Sequence, residues 1–239
     1  MYRYTIVSML FLLFLAACST TEKPVQNDQV MNILKTSTER AGGQAAWDSL
    51  QMIKFGHSAI LFEGETKSER NEMHQYTNGE NPKKRVSFEG KDGELVTLAE
   101  IQGQYFRFVG ELEDSLANTD EIGQYIQYRS IVSSLPFSIY AFKDKLQYIG
   151  TDSLTNGIDT EVIGMIGEKE KWWFFFSKEE GALVSFKHFN QGETNLVTIN
   201  QKQKVNGFEL PLYTKKYSVE KNVKTALREE CYYAGWTLK

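Results

Sequence analysis

The sequence predicts a mainly β protein with flanking helices, of the α+β class, built on one curled antiparallel sheet. Three observations carry this reading. Aromatic residues make up 13% of the 239-residue chain while prolines number only four, and aromatic side chains suit a pleated, half-buried surface. Beyond residue 51, short β-rich runs are punctuated by Asn78-Gly79, Asp92-Gly93, Asn156-Gly157, Glu180-Gly181, Gln191-Gly192 and Asn206-Gly207, pairs that supply the positive φ of tight hairpins. Two stretches, before and within this series, keep apolar residues at helical spacing.

In chain order, residues 1–17 read as a signal peptide. Arg3 supplies the positive start, and the apolar run from Ile6 to Leu15 is short for a membrane-spanning helix. The run ends in Leu15-Ala16-Ala17-Cys18, which resembles the bacterial lipoprotein signal, in which the cysteine takes a diacylglycerol and becomes the new N-terminus. The resemblance implies that Cys18 carries fatty-acyl chains, palmitate among them, and tethers the protein to a membrane, each buried CH₂ contributing about 0.8 kcal/mol. Ser19 stands where an aspartate would retain such a protein at the inner membrane. The outer membrane is therefore the expected address, with the periplasmic or surface face open. Residues 18–28, polar and containing Pro24, read as a lipidated tether, and residues 29–239 as the folded domain.

The first helical region, Gln29 to Leu50, places Val30, Ile33, Leu34 and Ala41 at helical spacing, with Asp28 as a candidate N-cap and Gly42-Gly43 as a break. A short turn through Ala45, Ala46, Trp47 and Leu50 follows, with Trp47 a core anchor over one end of the sheet. The expected strands are Met52–Glu63, Ser68–Tyr76, Arg85–Glu89, Leu95–Ile101, Tyr105–Val109, Leu146–Asp152, Thr160–Ile166, Lys171–Ser177, Leu183–Asn190, Asn195–Val205, Leu212–Val219 and Lys224–Ala234. About a dozen strands in one meander must curl or close. The second helical stretch, Glu121 to Leu135, ends before Pro136; its apolar face belongs on the concave side of that sheet.

Several strands are apolar on both faces. In Trp172-Trp173-Phe174-Phe175-Phe176, Trp172, Phe174 and Phe176 point one way and Trp173 and Phe175 the other. Such a strand is covered by protein on both sides or lines an apolar cavity.

Chemistry is sparsely supplied. The charges, 27 basic against 31 acidic residues, form no basic patch for nucleic acid. His57, His74 and His188 all fall in strands, without His-x-x-x-His or Cys-x-x-Cys and without a carboxylate at ligand spacing, so no metal site is expected. There is no Gly-x-Ser-x-Gly elbow, no Ser-x-x-Lys and no P-loop. Glu111 with Glu113 and Glu179 with Glu180 read as solvated turn residues. Cys231, the second of two cysteines, reads as a buried small hydrophobe in the last strand. No catalytic residue and no cofactor is expected.

The order of features is itself informative. A lipobox, a helix ending in Gly42-Gly43-Gln44-Ala45-Ala46-Trp47, a long strand, and a meander interrupted by a helix closing on Leu135-Pro136-Phe137 resemble the LolA/LolB-like superfamily. They are most similar to uncharacterised bacterial outer-membrane lipoproteins of that fold. Tyr148-Ile149-Gly150, the run from Phe174 to Leu183, and Asn206-Gly207-Phe208-Glu209-Leu210-Pro211 extend the likeness over nearly all of the chain. The resemblance implies an incomplete β-barrel whose concave face is capped by helices and opens to acyl chains. Ser177 departs from the pattern where an aspartate is common, and no protruding apolar loop of the LolB type aligns.

The expected function is thus a membrane-anchored, non-enzymatic carrier, chaperone or sensor for a lipid or other hydrophobic ligand, lined by Trp172, Phe174, Phe176, Tyr125 and Tyr128. The alternative is an envelope scaffold that binds a protein partner and fills its cavity with its own side chains. A hydrolase built from His57, His74 or His188 and scattered carboxylates would be favoured if those histidines clustered with a Ser, Asp or Glu in one cleft.

Overall fold

The computed structural model describes residues 24–239 apart from 156 and 222. The signal segment 1–17, Cys18 and the first residues of the tether lie outside the described residues.

Apolar alternation and the glycine turn pairs yield thirteen strands: β1 (Met52–Glu63), β2 (Thr66–Thr77), β3 (Lys83–Glu89), β4 (Leu95–Ile101), β5 (Gln104–Val109), β6 (Leu112–Glu113), β7 (Leu146–Thr155), β8 (Ile158–Ile166), β9 (Glu170–Ser177), β10 (Leu183–Asn190), β11 (Glu193–Val205), β12 (Phe208–Glu220) and β13 (Val223–Leu238). They form one sheet in the order β6-β5-β4-β3-β2-β1-β13-β12-β11-β10-β9-β8-β7. Two meanders, β1 to β6 and β7 to β13, are therefore joined where the first strand pairs with the last, Ala59 opposite Cys231. The sheet is antiparallel and does not close, as expected. The turns obey their chemistry: Gln191 and Gly192 have φ of 51° and 86°, and Asn206 and Gly207 of 49° and 89°, the paired positive values that a two-residue hairpin demands.

Helix α1 (Pro24–Arg40) starts earlier than its apolar pattern suggests. Asp28 lies inside it rather than capping it, and Pro24, read from sequence as part of a flexible tether, sits in its first turn, where the missing N–H leaves no helical bond unmade. The helix stops at Gly42, whose φ is 122° and where a Cβ would stand 2.8 Å from the Phe208 ring and 2.9 Å from the Gly207 carbonyl. Only glycine fits both demands. The short α2 (Gln44–Asp48) sets Trp47 against Phe137 (4.5 Å, stacked) and Phe208 (5.4 Å, edge-on), the anchor expected of it.

Helix α3 (Thr119–Ser133) interrupts the meander; it begins two residues before the sequence boundary because the Asn118 side chain accepts from the Asp120 and Glu121 amides. A 3-10 segment, Phe137–Lys145, leads into β7. The two long helices divide the concave face. Val30, Ile33 and Leu34 of α1 pack with Trp172, Phe174, Phe176, Leu183 and Phe186, while Ile122 and Ile126 of α3 pack on Val86, Val96 and Leu98.

Both faces of β9 are buried, for different reasons. Phe174 and Phe176 lie under α1. On the convex side Phe175 joins Val162 and Leu196, and the Lys187 ammonium lies 5.8 Å from its ring and 5.9 Å from that of Trp173. A lysine stem thus covers the outer aromatics while its charge faces their π-clouds.

Candidate functional site: an open groove beside a buried polar cluster

Two neighbouring features carry polar chemistry. The first is a groove of about 1090 Å³ between α3 and the β8–β9 and β10–β11 turns of the sheet, with Tyr125, Tyr128, Ile131, Trp172, His188 and Lys216 on its walls. Trp172 and His188 stack at 4.0 Å. Glu170 ties both: its Oε1 accepts from the Trp172 indole N–H at 3.0 Å and lies 2.8 Å from His188 Nε2. The Lys216 ammonium lies 5.7 Å from the Tyr128 ring. The walls are aromatic and the rim is polar.

Of the five residues expected to line a ligand cavity, Tyr125, Tyr128 and Trp172 meet at this groove. Phe174 and Phe176, 2% and 1% exposed, are core residues beneath α1 that do not reach the groove, and Trp172, itself 1% exposed, belongs to the same core and only backs the groove wall. The recess left there, beside Ala41, Leu135 and Leu183, is only about 10 Å³, room for a single water. The helix reaches the sheet and fills that concavity, so the apolar floor inferred from the sequence is occupied by the protein's own side chains.

The second feature lies under α3, where the central strands turn polar residues inward. Side chains on a strand share a face at every second position. Glu72, His74 and Tyr76 of β2, His57 of β1, and Glu229, Cys231 and Tyr233 of β13 therefore project to the same side, and all are buried. Opposite register sets His57 against Glu72 and against Tyr233. Arg129 and Tyr125 descend from α3. Arg129 donates to Glu229 at 2.9 Å and to the Tyr125 hydroxyl at 3.2 Å, and Tyr125 donates to Glu72. Since a carboxylate only accepts, His74 donates through Nε2 to Glu72 Oε2 (2.9 Å) and its Nδ1 accepts from Tyr76 (2.9 Å).

His57 is the exception. Its Nδ1 lies 3.2 Å from Glu72 Oε2 without the alignment of a hydrogen bond, and neither ring nitrogen has a hydrogen-bond partner, although the residue is 1% exposed. An unsatisfied buried polar group costs about 1–3 kcal/mol.

Burial sets the charges here. It pushes His57 down, and His74 down to about 4, despite the nearby Glu72. For Glu72 and Glu229 burial acts upward but is outweighed. The close approach of both histidines, His74 through a hydrogen bond, and the charge of Arg129 hold Glu72 well below the carboxylate range, while Arg129 and Lys216 bring Glu229 to about 2. Burial raises the Cys231 thiol and so disfavours the thiolate, although its sulfur lies within 4.8 Å of His57 and Glu229 ligand atoms.

The signs fix the acid response. Both histidines bind protons less readily folded than unfolded, so their contribution is complete above pH 6.5 and is lost as pH falls below it, for His74 toward 4. Glu229 adds a second loss, from about 4.5 down to 2. Urea midpoints at constant ionic strength are expected to fall steadily below pH 6.5, and a flat profile between 7 and 4.5 would contradict this arrangement.

The cluster corrects the sequence reading that no carboxylate stands at ligand spacing beside the histidines. His-x-x-x-His and Cys-x-x-Cys are helical and loop spacings, whereas on β2 the repeat is two, and Glu72-x-His74-x-Tyr76 is the signal that the sequence carries. Arg129, three and seven residues after Ile126 and Ile122 on the buried face of α3, was the second. His57 and His74 do meet Glu72, but inside the core rather than in a cleft, and His188 stands apart at the groove with Glu170. The condition that would favour a hydrolase is met in residue types and not in access.

No protein-family model and no curated protein matches the sequence. Solved structures are similar in fold. A DUF1329 family protein from Desulfovibrio piger superposes with a TM-score of 0.59 at 8% identity, covering 87% of this chain and 92% of that one. A domain named for outer-membrane lipoprotein sorting, from Vibrio parahaemolyticus, gives 0.59 at 10%, covering 89% and 93%. A LolA superfamily protein from Nitrosomonas europaea gives 0.57 at 11%, covering 88% and 93%. The chain has a LolA-like fold.

Proposed function

We propose that this LolA-like protein is a cell-envelope binding protein, tethered to the outer membrane through lipidated Cys18, that holds an amphiphilic lipid or similar hydrophobic ligand in the groove beside α3. The observation that carries the reading is the groove itself. Its volume, about 1090 Å³, is that of a site for an extended small molecule. Hydrocarbon would lie on Tyr125, Tyr128 and Ile131, backed by the buried Trp172, with the polar end among Glu170, His188 and Lys216. Burial of the chain supplies about 25 cal/mol per Å² before ordering costs are deducted. Nothing in this binding calls for catalysis.

Native mass spectrometry of protein released from membranes, followed by lipid extraction, tests the proposal. A non-covalent apolar ligand is expected, and displacement of a fluorescent acyl probe should weaken about tenfold in Tyr128→Ala, a loss of about 1.4 kcal/mol. Repeated recovery of empty protein with no probe binding would reject it.

One observation favours a second reading. Because Trp172, Phe174 and Phe176 are at most 2% exposed, the concavity under α1 is self-filled, as a scaffold for a protein partner would have it. Empty protein that co-purifies with a stoichiometric envelope protein would favour that reading.

A further inference from the structure

We propose that His57, Glu72 and His74 form a buried binding site for one first-row d-block cation of the Zn²⁺ class. The three ligand atoms lie within 4.8 Å of one another. Glu72 Oε2 is 3.2 Å from His57 Nδ1 and 2.9 Å from His74 Nε2, close to the roughly 3.3 Å edge of a tetrahedron with bonds of about 2.0–2.1 Å. Two imidazoles and one carboxylate suit Zn²⁺, Cu or Fe, whereas Ca²⁺ and Mg²⁺ require more oxygen ligands.

The independent observation is His57. It is the one histidine of the cluster with both ring nitrogens unpartnered, it is 1% exposed, and one of those nitrogens faces Glu72. A cation in contact with Glu72 and His57 gives that facing nitrogen, Nδ1, its partner. The groups around the triad are those that orient metal ligands elsewhere: Tyr76 meets the far nitrogen of His74, and Tyr125 holds the far oxygen of Glu72. Loading costs one hydrogen bond, that between His74 and Glu72. The His74 proton moves to Nδ1, which then donates to the Tyr76 oxygen, and Nε2 is freed to ligate.

The neighbouring cations leave room for the ion. Arg129 Nε stands 3.8 Å from Oε2, beyond hydrogen-bonding distance, and its guanidinium is matched by Glu229 at 2.9 Å. Arg70 pairs with the other oxygen, Oε1, its Nε 2.7 Å away, on the side of the carboxylate turned from the imidazoles. Glu72 thus keeps a negative charge toward the imidazoles. Because the site is closed, the ion enters as the chain folds.

The test is Zn²⁺ stoichiometry by elemental analysis, on full-length protein both loaded when folded and refolded from urea in Zn²⁺. One equivalent per chain is expected in at least one preparation, with the unfolding midpoint raised by about 5–10 °C at a hundredfold excess over Kd. His57→Phe, which replaces an unpartnered ring by an apolar one of similar shape, should fold and lose that equivalent and that shift, while His188→Gln retains both. Less than a tenth of an equivalent in both preparations, no change in midpoint, or equal binding by His57→Phe would overturn the site.

Discussion

Replacement of Arg129 by methionine is expected to destabilise the protein by about 3–5 kcal/mol, the cost of leaving one partner of a buried ion pair uncompensated. At this chain length that is a drop of about 10 °C or more in the unfolding midpoint. Arg129 is 6% exposed and Glu229 5%, so water cannot take over the role of the lost guanidinium. The bond from Arg129 to Tyr125 is lost as well, and with it part of the hold of α3 on the sheet. The double variant Arg129→Met/Glu229→Met should recover most of the loss, because two apolar side chains of similar length remove both charges at once. Urea denaturation of the wild type, both single variants and the double variant closes a cycle, for which a coupling above about 2 kcal/mol is expected. A single-variant loss below about 1 kcal/mol would mean that the pair is hydrated.

The strands were legible because local chemistry dictated them. The boundaries of β1, β4 and β10 coincide with the sequence reading, and in each case an apolar run stops at a turn of polar or glycine residues. The start of α1 was not legible, since a proline after a polar segment reads equally as a tether or as a first helical turn. The small β6, Leu112–Glu113, is too short to leave a pattern. At the groove, the sequence reading placed Tyr125, Tyr128 and Trp172 on the concave side because helix spacing and strand alternation both aim them there. It did not separate them from Phe174 and Phe176, because where α1 lies along β9 is decided by tertiary packing. The polar cluster was hidden for a related reason. His57, Glu72, Arg129 and Glu229 come from four elements, and only register brings them together.

That division between filled core and open groove has an energetic consequence in Phe174. Truncation to alanine is expected to cost about 3–5 kcal/mol, the range for removing a buried aromatic ring, because the ring sits among Trp172, Leu34 and Phe186 of the cluster under α1. The void should stay dry, since its walls are apolar, and should admit a small apolar guest such as benzene or xenon, which would restore part of the midpoint. Tyr128→Ala should behave oppositely. Its side chain is half-buried at the groove, so stability should change little while affinity for an acyl probe falls. Thermal denaturation with and without benzene, beside probe binding for both variants, separates the two roles. If Phe174→Ala lost the probe at unchanged stability, the ligand would lie under α1, and the helix would be a movable cover rather than the fixed wall that its packing describes.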